Sequence, residues 1–181
     1  MQSESTEVLA ARYGARYRWY ATATVMFGTV SAMLTTTSVN VAIPDIMGAF
    51  GIGQDRAQWL ATGALAAMTV GMLLTSWLIN SYGQRRTFCG AVLIFMIALL
   101  FAGMAPNEHV LIACRIVQGA IAGILQPLSM YTLFRVFPSH QRGTAMGFFG
   151  MSVLLGPALG PALGGIMIEQ LKHLAFNFDM R

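Results

Sequence analysis

The sequence predicts an all-α integral membrane protein with five transmembrane helices and a cytoplasmic N-terminus. Two observations carry this. The 181 residues are 56% hydrophobic and only 10% charged, whereas soluble domains carry charge on roughly a quarter of their residues. The charges also gather in short clusters, from Glu4 to Arg18, Asp45 to Arg56, Arg85 with Arg86, Arg135 with Arg142, and Glu169 onward. Between the clusters lie apolar stretches of bilayer length.

Residues 1–18 form a basic, mostly polar arm ahead of an apolar stretch longer than a signal h-region, and no A-x-A site closes that stretch. The first apolar segment is therefore expected to stay as an anchor. A spanning helix needs about 20 apolar residues at a rise of about 1.5 Å each. Five segments qualify: 19–43, 57–80, 87–105, 110–136 and 143–168. The joints carry chain breakers and polar groups: Pro44 and Asp45, Tyr82-Gly83-Gln84, Pro106-Asn107-Glu108, and Pro138-Ser139-His140. Residues 169–181 are expected as an extracytoplasmic tail.

Lys and Arg set the orientation. With the N-terminus inside, Arg12, Arg16, Arg18, Arg85, Arg86, Arg135 and Arg142 are all cytoplasmic, and chiefly Arg56 and Lys172 remain outside. The formal net charge of +4 thus reports topology. It does not point to nucleic acid, because no basic run is interleaved with stacking aromatics. Tyr17, Trp19 and Tyr20 sit where headgroups favour amphipathic rings. Cys89 and Cys114 lack the spacing of a metal or disulfide framework and read as reduced packing residues. No cofactor or metal is implied, and no paired carboxylates, metal-spaced histidines or activated serine within the spans suggest an enzyme.

The fifth span reads GFFGMSVLLGPALGPALGG, with Gly147, Gly156, Gly160, Pro161, Gly164, Gly165 and an extra Pro157. Glycines four apart share a helix face that admits a neighbouring backbone, and the prolines delete amide donors and bend the helix. Generic packing through small residues explains a lone GxxxG. The paired Gly-Pro steps are more specific. They resemble the antiporter motif G-x8-G-x3-G-P-x2-G-G of major facilitator superfamily drug exporters, and the resemblance implies a role in sealing the substrate cavity and favouring exchange.

The fourth span carries the only charge well inside any span, Arg115, with Gln118 a turn away. An arginine at the centre of a membrane helix costs about 2.5–3.5 kcal/mol on insertion scales, so it invites a functional reading. Snorkelling is the other reading, since Arg115 lies about 8 Å from the outer end of its predicted span. Leu111, Arg115, Gln118, Gly119 and Ala122 resemble the exporters' fourth-helix pattern l-x3-R-x2-Q-G-x2-a-A, with Gly123 departing at the last place. The resemblance implies a cavity-facing Arg115 linked to proton coupling, with Gln118 and Gly119 beside it.

The stretch SVNVAIPDI, with Asn40 and Pro44, resembles the N-V-A-x-P segment of the drug:proton antiporter-2 branch, the fourteen-helix exporters. A buried Asn amide can join helices and Pro44 is expected to end or kink the helix, although a polar helix terminus explains both. The loop LINSYGQRR resembles the cytoplasmic motif G-x-L-a-D-r-x-G-R-[KR] only in part. Leu78, Gly83 and Arg85 match, while Asn80 replaces the Asp and Ser81 and Gln84 replace basic places. Arg142, in FPSHQRGTAMG, would meet that loop, and opposite Asn80 it gains a hydrogen bond at most. Asn80, Gly83, Arg85, Arg86 and Arg142 are thus expected at a weakened cytoplasmic gate, with simple inside retention by positive charge as the plainer role of the arginines.

No Asp or Glu falls within a predicted span. Thr35 holds the place where the branch expects an Asp, in the run Thr35, Thr36, Thr37 and Ser38, whose hydroxyls can bond to backbone carbonyls. Asp45 and Glu169, at outer helix ends, are then the carboxylates nearest a cavity mouth, and interfacial solvation explains both. Thirteen methionines with Phe27, Trp59, Trp77, Phe148 and Phe149 suit either a repackable wall or lipid.

The resemblance covers residues 39–168, the first five helices of an expected fourteen. It implies a multi-pass protein of the cell inner membrane that exports amphipathic small molecules against protons, and a periplasmic adaptor partner in Gram-negative cells. No nucleic acid is expected. Alternating access needs two helix bundles, so the chain reads as an N-terminal portion of such an exporter. A truncated remnant that no longer transports, or a membrane interaction protein, is the competing expectation.

Overall fold

The computed structural model describes residues 16–137 and 139–179. The basic arm through residue 15, with Arg12, lies outside the described residues, as does Pro138. The side chains of Arg16, Arg18, Glu169 and Lys172 also lie outside the description. Five long helices follow one another: α1 (Arg16–Phe50), α2 (Gln54–Tyr82), α3 (Gln84–Gly103), α4 (Glu108–Val136) and α5 (Arg142–Asp179), with one 3-10 turn, Ser139–Gln141, before α5. Each contains an apolar window long enough to cross a bilayer.

Local chemistry sets the helix ends. Asn107 caps α4, its Oδ1 accepting from the Val110 amide at 3.0 Å, and Glu108 complements the positive end of the helix. Gly83 takes φ +79°, which a Cβ would disfavour, and joins α2 to α3 in one tight turn. The end of α1 corrects an expectation. Pro44 does not end the helix, which runs on to Phe50. It stops at Gly51, whose φ of +63° starts a Schellman closure in which the Ile52 amide donates to the Met47 carbonyl at 3.1 Å. Likewise the backbone past residue 168 continues as helix to Asp179.

The helices pair off. α2 packs most extensively on α4, and α1 on α5, while α3 rests mainly on α4. α4 is therefore the hub. Its Ile121, Ala122, Ile124, Leu125 and Leu128 meet Ala32 of α1 and Ala91 and Phe95 of α3 in the main core. A second cluster, Leu133, Phe137 and Ala145, closes the end near Ser139–Gln141.

The outside of the bundle is as apolar as the inside. Phe27, Trp59, Trp77, Leu73, Leu100, Met104 and Leu154 all stand exposed, which only a hydrocarbon solvent tolerates over so large a surface. Lipid also demands that buried hydroxyls be paired internally. They are: Thr29 donates to Val25, Thr75 to Gly71, Thr132 to Leu128 and Ser152 to Phe148, each one turn back along its own helix. Thr29 also meets Ser129 at 2.9 Å, a polar staple between α1 and α4.

Candidate functional site

Arg115 projects from α4 into the protein rather than to its surface. Its exposure is 2%, and that of Gln118 is 3%. The Arg115 Nη1 donates to Gln118 Oε1 at 2.8 Å, and Gln118 Nε2 donates to the Ala98 carbonyl of α3 at 3.2 Å. The snorkelling reading therefore fails on geometry. Gln118 uses its amide to hold the guanidinium with one end and α3 with the other. The Arg115 Nε has no hydrogen-bond partner, and no ion pair joins Arg115 to a carboxylate among the described residues. A buried donor without an acceptor is costly unless something else supplies one.

Gly119 belongs to a packing seam. A Cβ there would stand 2.2 Å from the Ala64 carbonyl oxygen of α2. One turn on, a Cβ at Gly123 would stand 2.1 Å from the Met68 carbonyl oxygen, and on the facing helix one at Gly71 would stand 2.1 Å from that of Ala120. α2 and α4 thus touch backbone to backbone, and Gly123, which departs from the family pattern, is required by that approach.

The fifth-helix glycines divide into two groups. Gly156, Gly160 and Gly164 all face α1, where added Cβ atoms would meet Met33, Thr37 and Ser38. Gly147 and Gly165 face nothing within 4 Å. Thr37 and Ser38 reach from α1 to the carbonyls of Gly156 and Gly160 at 3.3 and 3.2 Å. Thr35 and Thr36 bond back to Ser31 and Ala32, as a hydroxyl run on a helix allows. Pro157 and Pro161 both lie inside the continuous helix.

At the Gly83 end, the sequence motif and the contacts part company. Asn80, Arg85, Arg86 and Arg142 are exposed. Arg142 makes no hydrogen bond to Asn80. It lies 5.8 Å from the centroid of Phe134, and Arg135 lies 5.4 Å from that of Tyr131. The tie across this end is Gln84, one of the replaced basic places, which donates to Thr132 of α4 at 2.7 Å. Asn40 likewise joins no other helix among the described residues: it is exposed, as is Pro44. Cys89 is exposed rather than packed, while Cys114 is half-buried.

At the opposite end the structure adds an acid that the sequence left in a solvated joint. Glu108, with a side chain 13% exposed, pairs with Arg56 of α2 and lies 3.7 Å from His109. Asp45 is exposed. Since the Arg56 side chain is 66% exposed, this pair is a weak staple. Arg56→Gln is expected to lower the melting temperature in detergent by no more than roughly 4 °C, about 1 kcal/mol. The deficit should shrink in 1 M NaCl; a larger, salt-independent loss would show that the pair anchors the α2–α4 seam.

Sequence comparison assigns this bundle to a lineage. The profile of the Major Facilitator Superfamily matches residues 25–176. The chain belongs to that superfamily. It is 40% identical over 145 residues to an uncharacterized MFS-type transporter, YhcA, of Bacillus subtilis, covering 80% of this chain and 27% of that protein. It is 33% identical over 150 residues to the multidrug export protein EmrB of Haemophilus influenzae, 83% of this chain and 29% of that one. Against the fatty acid resistance protein FarB of Neisseria gonorrhoeae the identity is 39% over 133 residues, 74% and 26% of the two chains. The chain thus spans less than a third of these relatives' length. Membership fixes the setting of the five helices: a multi-pass bundle in a membrane.

Proposed function

We propose that this chain forms the first five helices of a proton-coupled exporter of amphipathic small molecules in the drug:proton antiporter-2 branch. Its N-terminus lies in the cytoplasm and its Gly83 end faces inward, because the arginines gather there. The observation that carries the reading is Arg115. A buried guanidinium with an unpaired Nε is an expensive feature for a membrane protein to keep for packing alone. It suits a site that offers a donor to a passing acidic group, whether on substrate or on protein, as pH-driven exchange demands. The Gly156, Gly160 and Gly164 face gives α5 the close seam expected of the antiporter motif. Relatives named for multidrug export and fatty acid resistance point to an amphipathic cargo, and a periplasmic adaptor partner follows from the same analogy.

The test uses inverted membrane vesicles carrying the protein from its complete reading frame. With Arg115→Ala, accumulation of ethidium or oleate driven by the pH gradient should fall to background while the protein remains in the membrane. Unchanged accumulation would count decisively against the role. A second reading, a remnant that no longer transports, draws on the exposed Asn80 and on Thr35 in place of an acid. A wild-type protein inactive toward every amphipathic probe would favour it.

A further inference from the structure

The two helix seams place different demands on side chains. Apart from Arg56 and Glu108 at one end, no side-chain hydrogen bond crosses α2–α4 among the described residues; that contact is carried by glycines against carbonyls. The α1–α5 seam is crossed by hydroxyls. Thr37 Oγ1 lies 2.9 Å from the Met33 carbonyl, 3.1 Å from that of Leu34 and 3.3 Å from that of Gly156 across the seam. One hydroxyl has one proton, so the bond to α5 has two substitutes on α1 itself. Ser38 donates to Gly160 at 3.2 Å and stands, like Thr37, where its own helix offers a carbonyl one turn back.

The acceptors are equally undemanding. In a regular helix the carbonyls of Gly156 and Gly160 also receive the amides of Gly160 and Gly164. Neither is stranded if α1 withdraws. In hydrocarbon this matters, because a contact that leaves a polar group unpaired is costly to open. Pro157 and Pro161 remove two amides from the same stretch, which loosens α5 where it meets α1.

We propose that Thr37 and Ser38 are positioning residues for α5: they hold its glycine face in register on α1 in one state and release it in another without stranding a polar group. α1–α5 is then a seam free to slide during transport. The inference rests on the exporter reading above.

A reversible cross-link tests it. A Cβ at Gly164 would stand 3.3 Å from the Ser38 Cβ, close to the span of a disulfide. Ser38→Cys with Gly164→Cys, in a protein with Cys89 and Cys114 changed to Ser, should form that bond on mild oxidation. In inverted vesicles the oxidised protein should accumulate ethidium at least about tenfold more slowly than the reduced one, with recovery on adding dithiothreitol. The rate of disulfide formation should fall about threefold or more when ethidium and a pH gradient are both supplied, a readout that survives even if the reduced variant transports poorly. The proposal is overturned if the oxidised protein keeps the reduced rate, or if cross-linking is equally fast with and without turnover. A wild-type protein that moves neither ethidium nor oleate overturns the exporter reading itself and removes the basis of this one.

Discussion

Gly123→Ala should destabilise the bundle by about 1–3 kcal/mol, a fall of roughly 3–10 °C in melting temperature for a chain of this size. The added methyl would stand 2.1 Å from the Met68 carbonyl oxygen and 2.8 Å from its carbon. Those atoms are backbone and cannot swing aside. α2 would have to retreat, and the retreat would open the reciprocal contact between Gly71 and the Ala120 carbonyl. Gly119→Ala meets Ala64 in the same way one turn earlier. Because both changes force the same helix apart, their effects should be less than additive: once α2 has moved for one methyl, the second costs less. Gly147→Ala is the control, since nothing lies within 4 Å of it, and it should leave the melt unchanged or raise it slightly by helix propensity. Thermal denaturation in detergent decides the matter, and a neutral Gly123→Ala would show that α2 and α4 do not approach this closely.

That seam shows what the sequence could and could not disclose. Spacing alone places Gly156, Gly160 and Gly164 on one face of α5, and Arg115 and Gln118 a turn apart on α4, because helical periodicity relates residues within one element. It names no partner on another. Nothing local marks Met68 as the atom group opposite Gly123, Ala98 as the acceptor for Gln118, or Ser129 as the neighbour of Thr29. Glu108 shows the same limit. At a helix start an acid reads as solvated, and only the proximity of the α2 and α4 ends covers its side chain. The boundary of α1 differs for another reason: Pro44 lies inside the helix and Gly51 ends it. A proline deletes one amide bond, which a helix can bear at moderate cost, while a glycine at positive φ redirects the chain. In the loop around Gly83, where Asn80 in place of an Asp offers Arg142 a hydrogen bond at most, none forms, and Gln84 makes the tie to α4.

Arg115→Leu should make the protein more stable and, if the protein works as the proposed exporter, abolish transport. Insertion scales separate Arg from Leu by about 3–4 kcal/mol at the middle of a membrane helix. Arg115 lies seven residues into α4, about 10 Å from its end, so a smaller part of that difference applies. The opposing loss is the bond to Gln118 Oε1, worth roughly 0.6–1.7 kcal/mol by analogy with other bonds between membrane side chains. Gln118 still holds Ala98 through its other end. Removing the unpaired Nε relieves a further cost. The balance favours leucine by about 1–2 kcal/mol, a rise of roughly 2–8 °C in melting temperature. Arg115→Lys keeps the charge but not the planar fork that reaches Gln118, so it should gain little stability and recover little transport. A leucine variant that melts lower than wild type would mean that the guanidinium is held by enough favourable contacts to be structural. A higher melt combined with lost transport is the signature of a residue kept for what it does, since a chain selected only for packing would have discarded it.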